Sequence, residues 1–216
     1  QLVDYIPALA GTAYDGVTVQ QVLQMTSGAG WNETYTDRTS DRRELLEAQI
    51  AQEEGGMLEV MANLQRVATP GSRWNYSTGE TQVAAELLSA AINRLESPGG
   101  IEVGGSGFSA TLRDYGRFGQ FLLDEGIVDG EPVLPEGWVE RSSRPNIING
   151  EEVEYGFMLW PEMNAQGTIH EEAFEAVGIF GQFIYVNPRE NVVIVVWSAR
   201  SKPGGSTVVA EADFFA

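Results

Sequence analysis

Residues 182–198, QFIYVNPRENVVIVVWS, decide the fold class. Two runs rich in β-branched and aromatic residues, 182–186 and 191–198, flank the tetrad Asn187-Pro188-Arg189-Glu190. Such side chains suit a pleated, half-buried surface, and an Asn-Pro link closes a short turn, so the stretch predicts an antiparallel hairpin. Upstream, 173–177 and 155–160 (YGFMLW) predict two more strands. The last third of the chain therefore predicts an antiparallel meander.

The first two thirds have a different period. Within 18–25 the apolar residues Val19, Val22, Leu23 and Met25 mark one helical face, with Thr18 as cap and Gly28 as stop. Residues 40–53 predict a second helix, capped by Ser40, with Asp41 where the helix dipole favours an anion and with Leu45, Leu46, Gln49 and Ile50 facing inward. A short helix at 57–64 follows, then the turn Thr69-Pro70-Gly71-Ser72, then an Ala- and Leu-rich helix over 80–95. The five glycines in 97–107 predict a loop. Thr111 and Asp114 form a capping box for a helix reaching Leu123, with Tyr115, Phe118, Phe121 and Leu122 as its core stripe. Pro135 opens a short helix with Trp138 and Val139 inside, and 206–216 starts another. Helices first, meander second and a closing helix make an α+β chain rather than an alternating one. The expected organisation is a single, partial domain over 1–216: helical to 150, strands over 151–198, then the helix start.

Composition narrows the chemistry. Among 216 residues, 13 Lys plus Arg against 31 Asp plus Glu give a net charge of −18. That surface repels phosphate backbones and anionic lipid, so neither nucleic acid nor a membrane surface is an expected partner; solubility is its plain reading. No apolar run approaches the roughly 20 residues of a membrane span, and 192–197 is only strand-sized. Residues 1–11 lack the basic start and apolar block of a signal peptide, which leaves the compartment open. There is no Cys, a single His (His170) and a single Lys (Lys202). Disulfides, thiolate chemistry, His-pair metal sites and Lys-bearing phosphate loops are thereby excluded, and no metal or cofactor is expected.

Elimination leaves few catalytic candidates. The serine elbow G-x-S-x-G fails at Phe108 in Gly104-Gly105-Ser106-Gly107-Phe108. His170, in the polar stretch GTIHEE, reads as a loop-tip residue. Tyr76, in Tyr76-Ser77-Thr78 on a turn before a helix, can serve as a general base where a cation or a dry site lowers its pKa; a packed aromatic with a satisfied hydroxyl is the plain alternative. The stretch Gly178, Ile179, Phe180, Gly181 and Gln182 lets backbone approach a substrate and can offer N–H groups to an oxyanion; a bulge or a tight strand contact is the plain alternative.

Four ordered blocks, 18–28 (TVQQVLQMTSG), 70–80 (PGSRWNYSTGE), 107–119 (GFSATLRDYGRFG) and 178–188 (GIFGQFIYVNP), resemble the serine β-lactamase-like hydrolases, with class C β-lactamase-type esterases and 6-aminohexanoate-dimer hydrolases as kin. The resemblance implies a penicillin-binding-protein-like fold and acyl-enzyme chemistry on a small ester or amide. It makes Tyr76 the proton-transfer Tyr, Ser77 the spacer, and Thr78 the residue standing where Asn is common. It places Gly178 to Gln182 on an edge strand beside the nucleophile, without the Lys or His common there, which favours esters or amides with a neutral flank. Tyr35 resembles a Tyr that aminohexanoate hydrolases hold near the scissile amide.

One family element is missing. Ser-x-x-Lys would carry the nucleophile, yet the sole Lys is Lys202 and Ala199 stands three positions before it. Members of the family carry further residues before a segment like 1–5, and a further stretch between a helix like 80–94 and a segment like 95–98. Three explanations follow: a piece of a longer protein, one half of a split protein completed by a second chain, or a shortened relative that binds without catalysing. The first two are favoured, because a meander lacking its neighbouring strands would expose an edge and an apolar face. By itself this chain is expected to be inactive.

Overall fold

The computed structural model describes residues 1–92, 103–201 and 203. The chain divides into two compact units, one of Gln1–Phe108 with Ile147–Val153, the other of Ser109–Asn146 with Glu154–Ala216.

The first unit is helical. After two 3-10 turns, Leu2–Asp4 and Pro7–Leu9, come α1 (Val19–Leu23), α2 (Asp41–Ala51), α3 (Gly56–Ala62) and α4 (Thr78–Ile92). The caps sit where side-chain chemistry places them: Thr18 accepts from the Gln21 N–H while Gln21 reaches back to the Thr18 N–H, and Ser40 accepts from the Arg43 N–H at 3.2 Å. α1 packs on α4, and α3 on both α2 and α4. Their core gathers Leu2, Leu9, Tyr14, Val22, Met61 and Val83. Three expectations change here. α1 stops at Leu23, and Met25, not Gly28, is the first residue past it with positive φ. Ile50 is 69% exposed, and Ala48 packs against the core instead. α4 begins at Thr78, two residues earlier than its apolar pattern suggested.

The second unit holds the meander, a four-stranded antiparallel sheet of β5 (Trp160–Pro161), β6 (Phe174–Gly178), β7 (Gln182–Asn187) and β8 (Val192–Val196), in that spatial order. The predicted hairpin is present, with Asn187 opposite Val192. β7 is the buried strand, from Phe183 to Asn187. α5 (Leu112–Leu123) lies on β7 and β8, and α6 (Trp138–Ser143) contributes Val139 to a core with Leu122, Phe174, Ile184 and Val186. Residues 155–160 are not a strand: only Trp160 pairs, and Tyr155 instead buries itself edge-on against Trp160 at 4.7 Å. Phe118 departs from the core stripe of α5 and is 43% exposed, because Gly119 holds the position nearest the sheet.

Two short hairpins have no counterpart in the sequence reading, β1 (Ile127–Val128) with β2 (Glu131–Pro132), and β3 (Asn146–Ile148) with β4 (Glu151–Val153). Their turns are Asp129-Gly130 and Asn149-Gly150, with both residues of each at positive φ. Asp-Gly and Asn-Gly are the usual residues of that turn, so the signal was available. The helix expected over 206–216 lies outside the described residues.

At Gly119 a Cβ would come within 2.5 Å of Val193 Cγ1 and 3.1 Å of Ile184 Cγ2. An alanine in an open helix stabilises by about 1 kcal/mol over glycine. Here the stiff β-branched neighbours reverse the sign, and Gly119→Ala is expected to lower stability by roughly 1–3 kcal/mol. Urea unfolding checks this through a lower midpoint at unchanged slope; a raised midpoint would show that the close approach is absent.

Candidate active site

The chemistry-bearing residues of the first unit converge on the start of α4. The turn Thr69-Pro70-Gly71-Ser72 forms as predicted, with Ser72 N–H donating to Thr69 O at 3.0 Å. From it the chain runs alongside the segment after α1: Gly71 N–H donates to Thr26 O at 2.8 Å, and Asn75 N–H to Met25 O at 2.9 Å. Gly28 permits this close crossing, since at φ +81° its Cβ would lie 2.2 Å from Ala68 O. Tyr76 and Ser77 then lead into α4, where the Glu80 N–H donates to Ser77 O at 3.0 Å and to Ser77 Oγ at 3.2 Å.

Glu33 organises the surroundings of Tyr76, and the sequence reading missed it. Its Oε2 accepts from the Thr78 N–H at 2.9 Å and from Trp31 Nε1, while its Oε1 accepts from Thr78 Oγ1. The Tyr35 hydroxyl shares this carboxylate. Arg42 Nε stands 3.9 Å from Glu33 Oε1, and its guanidinium lies over the Tyr35 ring at 5.7 Å. A carboxylate at the first turn of a helix complements its dipole, which gives Glu33 a physical reason to sit there. No sequence pattern reveals it, because Glu33 and Thr78 lie 45 positions apart. Tyr35, Tyr76 and Thr78, three of the predicted site residues, thus share one locality.

Both phenols are held neutral. Burial, then the hydrogen bond and charge of Glu33, push Tyr35 far above its ordinary value. Burial and the Glu33 charge also raise Tyr76, with Arg42 opposing them. The dry site therefore raises the Tyr76 phenol, the reverse of the expectation that dryness would lower it, because burial disfavours the charged phenolate. A cavity of about 220 Å³ opens beside this locality, lined by Gly28, Trp31, Val67, Arg73 and Asn75 among others. A larger hollow of about 710 Å³ lies in the second unit among Glu125, Leu134, Glu136 and Glu140, and none of the predicted site residues lines it.

Behind Tyr76 lies a second carboxyl. Glu80 is 3% exposed; its Oε1 accepts from Ser27 Oγ, and its Oε2 has no hydrogen-bond partner. Burial raises Glu80 to about 8, against the Ser27 hydrogen bonds that lower it. Tyr14, fully buried, has its phenol raised well above the ordinary value by burial and by Glu80.

In the second unit, Gly178, Ile179, Phe180, Gly181 and Gln182 are the β6–β7 hairpin turn, with Gly178 paired to Gln182, and not a stretch of edge strand. Gly181 takes φ +84° as this turn requires. The Gly181 N–H donates to Gly178 O at 2.9 Å and the Phe180 N–H to Gln182 Oε1 at 3.3 Å, so these two are committed within the turn and not free for an oxyanion. Gln182 Nε2 donates to Ser198 O, and Phe180 O accepts from the Arg200 N–H at 3.1 Å. His170 Nδ1 is 2.8 Å from Tyr185 Oη, which already accepts from Asn187 Nδ2 at 2.9 Å. His170 and Tyr185 thus share a hydrogen bond that anchors the loop. Among the described residues no cluster of three or more His, Asp or Glu could hold a metal ion, and no helix is long and apolar enough to cross a membrane.

An α+β chain with helices ahead of an antiparallel meander, and a Tyr at the mouth of a buried helix, defines a serine β-lactamase-like class. The chain belongs to the beta-lactamase family, whose model matches residues 1–94 and 88–214. The two matches meet near the end of α4. Among curated proteins, a 6-aminohexanoate-dimer hydrolase from Paenarthrobacter ureafaciens is 28% identical over 237 residues, covering 93% of this chain and 59% of its own length. The chain thus spans about three-fifths of that relative. Among solved structures, a Bacillus anthracis protein assigned as a 6-aminohexanoate-dimer hydrolase superposes with a TM-score of 0.76 at 23% identity, covering 94% of this chain and 61% of the other. A family VIII carboxylesterase follows at 0.63 and 12%, covering 93% and 70%. Both likenesses show the β-lactamase-type fold.

Glu80 makes stability depend on pH with a definite sign. Its folded value of about 8 lies above the ordinary 4.5, so between these values the folded state holds a proton that the unfolded state has lost. Stability is then fully present below pH 4.5 and falls as pH rises to about 8, by roughly 3–5 kcal/mol in all at 1.36 kcal/mol per unit. Chemical denaturation at several pH values checks this; Glu80→Gln is expected to flatten that part of the curve, and an unflattened curve would assign the dependence to other groups.

Proposed function

We propose that the protein carrying this chain is a serine hydrolase of small carboxylic esters or amides, working through an acyl-enzyme, with the nucleophilic Ser and its Lys lying outside this sequence. The observation that carries the reading is the position of Tyr76. It stands at the entry to α4, next to Glu33 and Arg42 and with Tyr35 and Thr78 on the same carboxylate, in a chain of the beta-lactamase family.

The Ser hydroxyl adds to the substrate carbonyl as its proton passes to Tyr76. Collapse of the tetrahedral intermediate expels the alcohol or amine, which takes that proton from the Tyr76 hydroxyl. Water then attacks the acyl ester, releases the acid and returns the proton to Ser. Tyr76 needs its phenolate for the first step, yet burial and Glu33 oppose ionisation and Arg42 offsets them only in part. An ammonium within a few ångströms supplies the missing stabilisation, which is the role we give the external Lys. Tyr35 and Thr78 form the substrate wall, with the oxyanion donors assigned to backbone at the nucleophile.

A second reading is a binding module without acylation. The absence of Ser-x-x-Lys from this sequence and the raised Tyr76 phenol favour it. A nitrophenyl ester and a fluorophosphonate probe separate the two on the full-length protein. The hydrolase reading expects covalent labelling of one Ser, and Tyr76→Phe is expected to lower kcat by about 10²–10⁴-fold. Unchanged turnover in Tyr76→Phe would remove the base assignment; saturable ligand binding with no labelling would establish the binding module.

A further inference from the structure

The Ser27–Glu80 pair is the one buried side-chain tie in the site that the proposed chemistry does not use. Tyr76 sits between two links to the segment after α1. On its N-terminal side the Asn75 N–H donates to Met25 O at 2.9 Å. On its C-terminal side Ser27 Oγ donates to Glu80 Oε1 and also accepts from the Ala29 N–H at 3.1 Å. Glu80 passes this constraint back to the turn through its own N–H, bonded to both the carbonyl and the hydroxyl of Ser77. Glu80 is thus tied to Ser27 by its side chain and to Ser77, the neighbour of Tyr76, by its backbone.

We propose that Glu80 is a positioning residue held as a neutral acid, that its tie to Ser27 sets the placement of Tyr76, and that loss of its proton loosens that placement. This rests on the reading of Tyr76 as the proton-transfer residue. A carboxylate at Glu80 would be buried with hydrogen bonds from Ser27 alone and with Oε2 unpartnered. Among the described residues no cation forms an ion pair with Glu80, so none offsets that charge. The titratable group facing it from a neighbouring element is the Tyr14 phenol, fully buried beside Ser27 and raised by burial and by Glu80. A neutral phenol cannot stabilise the anion as a cation does. Burial of an unpaired carboxylate is costly enough that the surroundings rearrange or admit water on ionisation. Because Ser77 is joined to Glu80, that rearrangement reaches the Tyr76 backbone.

The test follows ring carbons of Tyr76 and side-chain carboxyl carbons of Glu by NMR in selectively labelled full-length protein, alongside ester turnover from pH 5 to 9. One carboxyl, absent in Glu80→Gln, is expected to titrate near pH 8, and the Tyr76 ring resonance is expected to move with the same midpoint. Glu80→Gln keeps a neutral acceptor for Ser27, so it is expected to retain kcat at pH 7 within about twofold, to lose the Tyr76 shift and to lose the alkaline fall in kcat. Glu80→Ala is expected to lower kcat on the order of 10²-fold through misplacement of Tyr76, with KM changed far less. A Tyr76 resonance indifferent to the Glu80 titration, a Glu80 that titrates with ordinary carboxyls, or an alkaline fall that survives Glu80→Gln would overturn the proposal. The NMR arm stands whether or not Tyr76 moves the proton. If Tyr76→Phe preserves turnover while the resonances still track Glu80, the functional reading fails and the positioning link holds.

Discussion

The crossing of residues 25–29 with residues 67–80 is the constraint on which the helical unit depends. Four backbone hydrogen bonds, from Gly71 to Thr26, from Asn75 to Met25 and from both Val67 and Ala68 to Gly28, hold the two segments together, and Gly28 makes room for them. Ser27 and Glu80 close the crossing inside the core. With it in place, Tyr76 can emerge only beside Trp31, Glu33 and Tyr35, because those residues continue directly from the crossing strand. Buried polar groups are tolerated there because most of them are matched, while Glu80 Oε2 and Arg42 Nε stand without a hydrogen bond among the described residues.

The electrostatics of this locality follow from scarcity of cations. The chain is strongly acidic and its cations are almost all Arg. Glu33 is crowded by donors and by Arg42, whereas Glu80 has only Ser27. Two carboxyls near the start of α4, far apart in sequence, are thereby placed in opposite environments. One serves as a fixed acceptor that holds Thr78 and Trp31, and the other is kept protonated by burial. The phenols around them are pushed up for the same two reasons, desolvation and neighbouring negative charge.

Much of the fold was legible because it is written in local patterns. The caps at Thr18, Ser40 and Thr111 and the strands β6, β7 and β8 follow from side chains acting within a few residues of themselves. The misses have separate causes. Residues 155–160 carry strand-like side chains, but the Gly156 N–H bonds to Leu159 O at 2.8 Å, folding the segment onto itself. Phe118 fits the helical stripe, yet the sheet approaches α5 so closely that only Gly119 fits there. The hairpins at Asp129-Gly130 and Asn149-Gly150 were written plainly in turn residues, but strands of two or three residues are too short to show an alternating pattern. Of the site, Tyr76, Thr78 and Tyr35 came from family resemblance, while Glu33, Glu80 and Ser27 carried no spacing that marks them.

By itself, the sequence determined the class of elements, their order, the family and the absence of Ser-x-x-Lys, since these depend on residue identity and short-range periodicity. Only the tertiary structure decided that Glu33 gathers Trp31, Tyr35 and Thr78, that Glu80 is a buried acid behind Tyr76, and that the glycine-bounded stretch from Gly178 to Gln182 is a closed turn. Each of these depends on which distant groups exclude water from a given atom and which donors reach it. That is a property of the packed chain, because hydration and hydrogen bonding are settled by neighbours in space and not by neighbours in sequence.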